Sequence, residues 1–337
     1  MKGIKLDSYV KGPLELTVTS LPDPVPTHDE YLIEVRAAAT NFFDLLQIAG
    51  KYQHQPPFPW IAGMEFAGTV MTAPASGKFR EGDRVFGAKQ GAYATRVTVK
   101  EDVLHRVPDG WSFEDAAGLY VTVPTSYAAL LIRAKLLPGE TVLVHAGAGG
   151  VGLAAIQIAK AAGATVIATA STAAKLAVCV SYGADHVLDY SSGDWPGRVL
   201  GLTNGKGVDV VFDPVGLIEP SLKCIAWCGR LLVVGFAGGK IEKVALNRVL
   251  LKNVAVVGIH WGLYADKEKK EGTVEKVWAG VMRLVQEGKF KPTVFKGEGV
   301  AEFVGLENVG RALESLGKRE TWGKVVVSVP REMGPRL

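Results

Sequence analysis

Apolar and polar positions alternate with a short period along the first third of the chain. The runs YLIEVRAAAT (31–40), FAGTVMTA (66–73), DRVFG (83–87) and AYATRVTV (92–99) read as strands, separated by Gly, Pro and Asp turns. One helical stretch interrupts them: NFFDLLQIAG begins at Asn41, a good N-cap residue, and stops at Gly50. From about residue 123 to 265 the pattern changes. Nearly continuous apolar runs at 141–146, 165–170, 186–190, 208–213, 230–236 and 254–260 alternate with helical stretches at 151–162, 174–182, 195–202, 218–227 and 244–251. Six such strands with crossover helices predict an α/β layer: a doubly wound parallel sheet covered on both faces. The remainder mixes an amphipathic helix (275–289) with a strand (323–329), and the charged stretch 265–273 reads as the junction between domains. There is no internal repeat.

Composition narrows the classes. A chain of 337 residues suits about two domains. The net charge of +4 comes without a Lys/Arg run, so nucleic acid is not an expected partner, whereas an anionic small ligand is. The most apolar stretch, 142–159, is Gly-rich and passes from strand to helix character, which marks a core element and not a membrane span. The N-terminus has no apolar signal region, so a cytoplasmic location is expected. Pro335-Arg336-Leu337 loosely resembles a peroxisomal address, with a frayed tail the plainer reading. Cys179, Cys224 and Cys228 have no metal-site spacing. Cys224 and Cys228 stand one helical turn apart and read as buried thiols of an intracellular protein.

The stretch TVLVHAGAGGVGLAAIQIAK carries Gly147-x-Gly149-x-x-Gly152 between the first predicted strand of the α/β layer and its helix. That context makes it a dinucleotide-binding fingerprint. Gly147 is expected to permit the tight turn, Gly149 to let the backbone approach a pyrophosphate, and Gly152 to let helix and strand pack closely. Ala148, Gly150 and Val151 complete the loop, whose helix N-terminus offers N–H groups to the phosphates. An NAD site usually carries an acid at the end of the second strand. Here IATASTAAK has none and offers Ser171, Thr172 and Lys175 instead, hydroxyls and a cation suited to a 2′-phosphate. NADPH is the expected cofactor. A solvent-facing helix lysine is the plainer role for Lys175.

With these residues in place, the chain resembles the zinc-free quinone oxidoreductase branch of the medium-chain dehydrogenase/reductase family. The likeness runs through NFFDLLQIAGKY (41–52), IAGMEFAG (61–68), PGETVLVHAGAGGVG (138–152), YGADHVLDY (182–190), VDVVFDPVG (208–216), GRLLVVGFAGG (229–239) and GKVV (323–326). It implies a GroES-like β-rich catalytic domain formed by 1–122 with 266–337, and a Rossmann domain at 123–265. Zinc-dependent members place a Cys where Asn41 stands and a His where Met64 stands, and the Cys-rich lobe expected near 90–115 is missing. Glu65 and Asp44 alone cannot build a tetrahedral zinc site, so no metal is expected; Met64 becomes wall and Glu65 structural.

The resemblance also assigns residues. Asn41 and Asp44 open the catalytic-domain helix, with a helix cap as the plainer role of Asn41. Tyr52 lines the substrate cleft, and Thr125 lies near the nicotinamide carboxamide, where Pro124-Thr125-Ser126-Tyr127 departs slightly from the usual pattern. Tyr190 contacts the adenosine end. Phe236, Ala237 and Gly238, with His260, Trp261 and Gly262, flank the nicotinamide, and Lys324 is a further cofactor neighbour. His145 reads as a core residue. The implied activity is NADPH-dependent reduction of a quinone or enone by hydride transfer. The alternatives are an enoyl-thioester reductase and an NADPH-binding protein with little turnover. Trp60, Tyr52, Met64 and Trp261 would give an apolar cleft wall. No Arg or Lys occurs from Phe42 to Leu46 or from Phe58 to Thr72 to clamp a carboxylate, so planar uncharged acceptors are expected. The apolar sixth strand, at a sheet edge, predicts a homodimer.

The Ser-Thr-Lys ending of the second strand predicts that NADPH binds at least about tenfold tighter than NADH, a difference of about 1.4 kcal/mol. Lys175→Ala should weaken NADPH and leave NADH nearly unchanged in parallel fluorescence titrations. Equal loss for both nucleotides would exclude Lys175 as the phosphate partner.

Overall fold

The computed structural model describes residues 1–268, 271–297 and 303–331, so the Pro335-Arg336-Leu337 tail lies outside the described residues. In chain order the elements that matter here are β1 (Glu30–Ala39), α1 (Phe42–Ile48), β2 (Glu65–Thr72), β3 (Arg84–Ala88), β4 (Arg96–Lys100) and β5 (Leu104–Arg106). They continue with α2 (Thr122–Tyr127), β6 (Thr141–Val144), α3 (Gly150–Ala161), β7 (Thr165–Ala170), α4 (Ala173–Ser181), β8 (His186–Asp189) and α5 (Trp195–Leu202). After these come β9 (Val208–Asp213), α6 (Ile218–Ser221), β10 (Ile225–Val233), α7 (Leu246–Leu251), β11 (Ala255–Gly258) and α8 (Thr273–Gln286), and the described chain closes with β12 (Phe303–Val304) and β13 (Val326–Ser328). Among the described residues no helix is long and apolar enough to cross a membrane.

The chain divides into two compact units, Met1–Val121 with Pro292–Leu337, and Thr122–Lys291. The first boundary falls beside the 122/123 position read from the sequence. The second lies one helix beyond the charged 265–273 stretch, because α8 belongs to the second unit. Its Val277, Trp278 and Val281 are buried, and a Cβ at Gly280 would stand 2.1 Å from the Tyr127 hydroxyl of α2. Gln157 of α3 also donates to the Lys291 carbonyl and accepts from its N–H.

The first unit is built on a seven-stranded sheet ordered β12-β13-β1-β2-β3-β5, with β4 pairing β1. Alternation puts Tyr31, Ile33 and Val35 of β1 into one core with Phe66 and Val70 of β2 and Val325 and Val327. The last strand, β13, comes from the C-terminal end and pairs antiparallel with β1, Val326 opposite Ala39. That pairing sets Lys324 beside Thr40.

The second unit is the doubly wound layer predicted from the apolar runs. Its six parallel strands run in the order β8-β7-β6-β9-β10-β11. Val142, Leu143 and Val144 of the central β6 are fully buried, as covered strands require. The order reverses between β6 and β9, where open α/β sheets bind ligands beyond the carboxyl ends of their strands. β11 lies at the edge, with Val256 45% exposed. The predicted 218–227 helix is corrected: α6 ends at Ser221 and β10 starts at Ile225. The β-branched Ile225 pairs with Val208 across a bulge. Cys228 therefore lies in a strand with φ of 59° and is exposed, so only Cys179 and Cys224 are buried thiols.

Candidate active site

In the first unit the candidate residues converge on one buried polar cluster. Asn41 precedes α1, Asp44 sits in its first turn, Glu65 opens β2 and Lys324 precedes β13; all four are buried. The Lys324 ammonium donates to Glu65 Oε2 at 2.6 Å, to Asn41 Oδ1 at 2.7 Å and to the Thr40 carbonyl at 2.9 Å. Those three bonds use all three of its protons. Glu65 also accepts from Asn41 Nδ2 at 2.8 Å and from the Val121 N–H at 2.7 Å. Lys324 is thus a support for Asn41 and Glu65 and has no donor left for a cofactor.

Asn41 is also the N-cap of α1, as expected, and a reciprocal capping box joins it to Asp44. On the Asp44 side of the box, Oδ2 accepts the Asn41 N–H at 2.8 Å. The same oxygen accepts the Tyr93 hydroxyl at 2.6 Å, while Asp44 Oδ1 is buried without a partner. Burial pushes the Asp44 carboxyl up to about 7 against its hydrogen bonds. Tyr93 was not singled out from the sequence. Its signal was Gly63, where a Cβ would stand 2.4 Å from the Tyr93 ring.

A zinc ion does not fit here. The carboxylate that would serve it already holds an ammonium, Met64 offers only a half-buried thioether, and among the described residues no group of three or more His, Cys, Asp or Glu is placed to hold a metal. Tyr52, half-buried, stacks on Phe43 with ring centroids 5.5 Å apart and planes at 25°. Burial, and next the Asp44 charge, raise its phenol above the ordinary value. Trp60 belongs to the core of this unit and is only 6% exposed.

In the second unit the predicted cofactor residues gather at the carboxyl ends of the parallel strands. The left-handed residue of the glycine turn is Ala146, φ 46°, and not Gly147. Gly147 is needed for packing: a Cβ there would stand 2.9 Å from Ala168 and 3.0 Å from Cys179 Sγ. Gly152 admits the helix onto the turn, since its Cβ would stand 2.3 Å from the Ala146 carbonyl oxygen. Gly149 caps α3 and brings no side chain to its first N–H groups; Ala148, Gly150 and Val151 complete the turn. Ser126 Oγ of α2 donates to the Val151 carbonyl at 2.8 Å and so holds Thr125 in this unit.

Past β7, Ser171 and Thr172 are exposed. Thr172 caps α4 by accepting the Lys175 N–H at 3.3 Å, which sets Lys175 in the first turn. The Tyr190 N–H bonds the Ala170 carbonyl at 3.3 Å, which puts Tyr190 beside that strand end. The Ala237 and Gly238 N–H groups hang on the Pro214 and Val215 carbonyls at 3.0 and 2.9 Å. Phe236 and His260 are exposed, Trp261 lies 5.1 Å from Tyr264 between ring centroids, and Gly262 follows in the same turn. The sequence reading missed Asp213, whose buried carboxylate accepts the N–H groups of Val215 and Gly216 at 2.8 and 3.1 Å and that of Leu217.

Comparison with known proteins agrees with both units. Residues 150–279 match the family model described as zinc-binding dehydrogenase, and residues 27–109 match that described as alcohol dehydrogenase GroES-like domain. The chain is 36% identical over 332 residues to quinone oxidoreductase-like protein 2 of Mus musculus, covering 96% of this chain and 91% of that protein. It is 34% identical over 333 residues to a quinone oxidoreductase of Pseudomonas aeruginosa, covering 97% and 99%. Among solved structures it is similar to Escherichia coli quinone oxidoreductase complexed with NADPH: TM-score 0.84, 30% identity, 97% of this chain and 100% of that one.

Breaking the buried ion pair on one side should cost about 3–5 kcal/mol, because the remaining buried charge loses its counter-charge. Lys324→Met should lower the urea midpoint sharply, and Lys324→Met combined with Glu65→Gln should recover much of the loss. Asp44 gives a pH signature. Its folded pKa of about 7 lies above the ordinary 3.8, so its contribution is full below the unfolded value and is lost as pH rises through about 7. His145 and His105, held by burial down to about 3 and about 4, act oppositely below their ordinary 6.5. The difference between wild type and Asp44→Asn isolates the Asp44 share: the wild-type advantage should shrink between pH 5 and pH 8.

Proposed function

The chain belongs to the quinone oxidoreductase branch of the medium-chain dehydrogenase/reductase family, and on that premise we propose that it is an NADPH-dependent reductase of quinones and related enones that works without zinc. It is an oxidoreductase. The observation that carries the finer reading is the Lys324 ammonium on Glu65, in a cluster with no metal-binding set. Without a Lewis acid to polarise an alcohol or a carbonyl oxygen, the acceptor must spread the incoming negative charge over its own π-system. Quinones do this best.

NADPH, when bound, supplies the hydride. The protein's part is positioning. The glycine loop and the N-terminus of α3 receive the pyrophosphate, and Ser171, Thr172 and Lys175 receive the 2′-phosphate at a strand end that lacks an acid. The loops at Phe236–Gly238 and His260–Gly262 continue the same row of strand ends toward the nicotinamide. Asn41, held on both ends of its amide by Lys324 and Glu65, is a fixed polar group of the catalytic unit. Tyr52 supplies a flat face with Phe43. Its proton is held more tightly than that of an ordinary tyrosine, so product protonation is assigned to solvent.

The homodimer reading rests on the edge strand β11, with Val256 45% exposed, and on the neighbouring α7, where Leu246, Leu250 and Leu251 are 78, 77 and 71% exposed. An apolar edge of this kind is an aggregation hazard when left open. A second copy would cover it.

NADPH oxidation should be rapid with 1,4-benzoquinone and 9,10-phenanthrenequinone and slow with crotonyl-CoA; the reverse ranking would favour the enoyl-thioester reading, and no turnover with any of them the binding-protein reading. Tyr52→Ala should raise KM for phenanthrenequinone more than for benzoquinone, and equal losses would refute stacking. Elemental analysis of the purified protein should find no stoichiometric zinc, and EDTA should leave the rate unchanged.

A further inference from the structure

His145 ends the run that leads into the glycine turn, and it is fully buried. Both ring nitrogens are engaged: Nδ1 lies 3.0 Å from Thr169 Oγ1 and Nε2 lies 2.9 Å from Ser221 Oγ, while Trp195 packs edge-on at 4.9 Å. Ser221 spends its single hydroxyl proton on the Leu217 carbonyl, at 2.6 Å. It can therefore only accept from the imidazole, which makes Nε2 the protonated nitrogen and leaves Nδ1 to accept from Thr169. This is a neutral ring with one fixed tautomer.

The bonds continue in both directions. On one side, the Thr169 carbonyl accepts the N–H of Gly147 at 2.8 Å. On the other, the Leu217 N–H donates to Asp213, which also gathers Val215 and Gly216. The Val215 carbonyl then accepts the N–H of Gly238 at 2.9 Å. One connected path thus links the glycine turn after β6 with the loops after β9 and β10, and His145 is its only side-chain bridge between β6 and α6 among the bonds described.

We propose that His145 is a positioning residue of the cofactor site, which sets the pyrophosphate-binding turn in register with the loops that flank the nicotinamide. The proposal rests on the NADPH reading above. It makes His145 matter for a ligand that spans both places and not for one that occupies the adenosine end alone.

The test uses His145→Phe, which keeps a flat ring and removes both bonds, with His145→Gln as the conservative variant that retains a donor and an acceptor. NADPH should bind about tenfold more weakly to His145→Phe, a size within the range of couplings inside one hydrogen-bond network. Adenosine 2′,5′-bisphosphate should stay within about twofold, and His145→Gln should recover most of the NADPH affinity. Amide hydrogen exchange without nucleotide should quicken together at Gly147, Leu217 and Gly238, and stay unchanged in β11. Equal weakening of both nucleotides, or quickened exchange on one side of His145 only, overturns the proposal. Should His145→Phe fail to fold, Ser221→Ala carries the same measurements. If the wild-type chain binds neither nucleotide, the NADPH reading fails, and the exchange result alone decides whether His145 couples the loops.

Discussion

A buried ammonium holds the catalytic unit together. Lys324 arrives from the far end of the chain and is placed by the pairing of β13 with β1. In water its charge would be hydrated; inside the protein it needs three acceptors, and the fold supplies one from a backbone carbonyl, one from an amide and one from a carboxylate. Each acceptor is fixed in turn. Asn41 is pinned between Lys324 and Glu65, Glu65 takes the Val121 N–H, and Asp44 holds the first turn of α1 through the Asn41 N–H. The geometry of α1 therefore depends on a residue nearly three hundred positions away.

On the reading proposed above, that arrangement also limits the chemistry open to the site. A carboxylate neutralised by a lysine does not recruit a divalent ion. The reaction proposed for the protein is accordingly one in which the acceptor carries its own electron sink. Burial pushes the carboxyl of Asp44 up to about 7, so its protonation state changes near neutral pH.

The second unit relies on buried polar anchors of a different kind. Asp213 gathers three backbone N–H groups, and His145 and Ser221 tie that loop back to the strand before the glycine turn. Loops that must present backbone to a nucleotide cannot bury much apolar surface, so buried hydrogen bonds stand in for packing.

The periodicity of the chain by itself determined much of this protein. The change from alternating to continuous apolar runs near residue 123 separates a half-covered sheet from a doubly covered one, because side chains alternate across a strand whatever its neighbours are. The glycine spacing and the absence of an acid after β7 were legible for the same reason: local backbone geometry and local charge need no distant partner. The role of Lys324 was not. GKVV shows a lysine before a strand, but only the pairing of β13 with β1 brings its ammonium to Glu65 and Asn41. The fate of 218–227 was decided in the same way, since Ile225 gains more from the ladder beside Val208 than from another helical turn. The left-handed turn at Ala146, the exposure of Cys228 and the membership of α8 in the second unit were likewise settled by contacts between residues far apart in sequence. A charge, a strand or a helix has a local propensity written in its residues, but the partner that completes it is chosen only when the chain closes on itself.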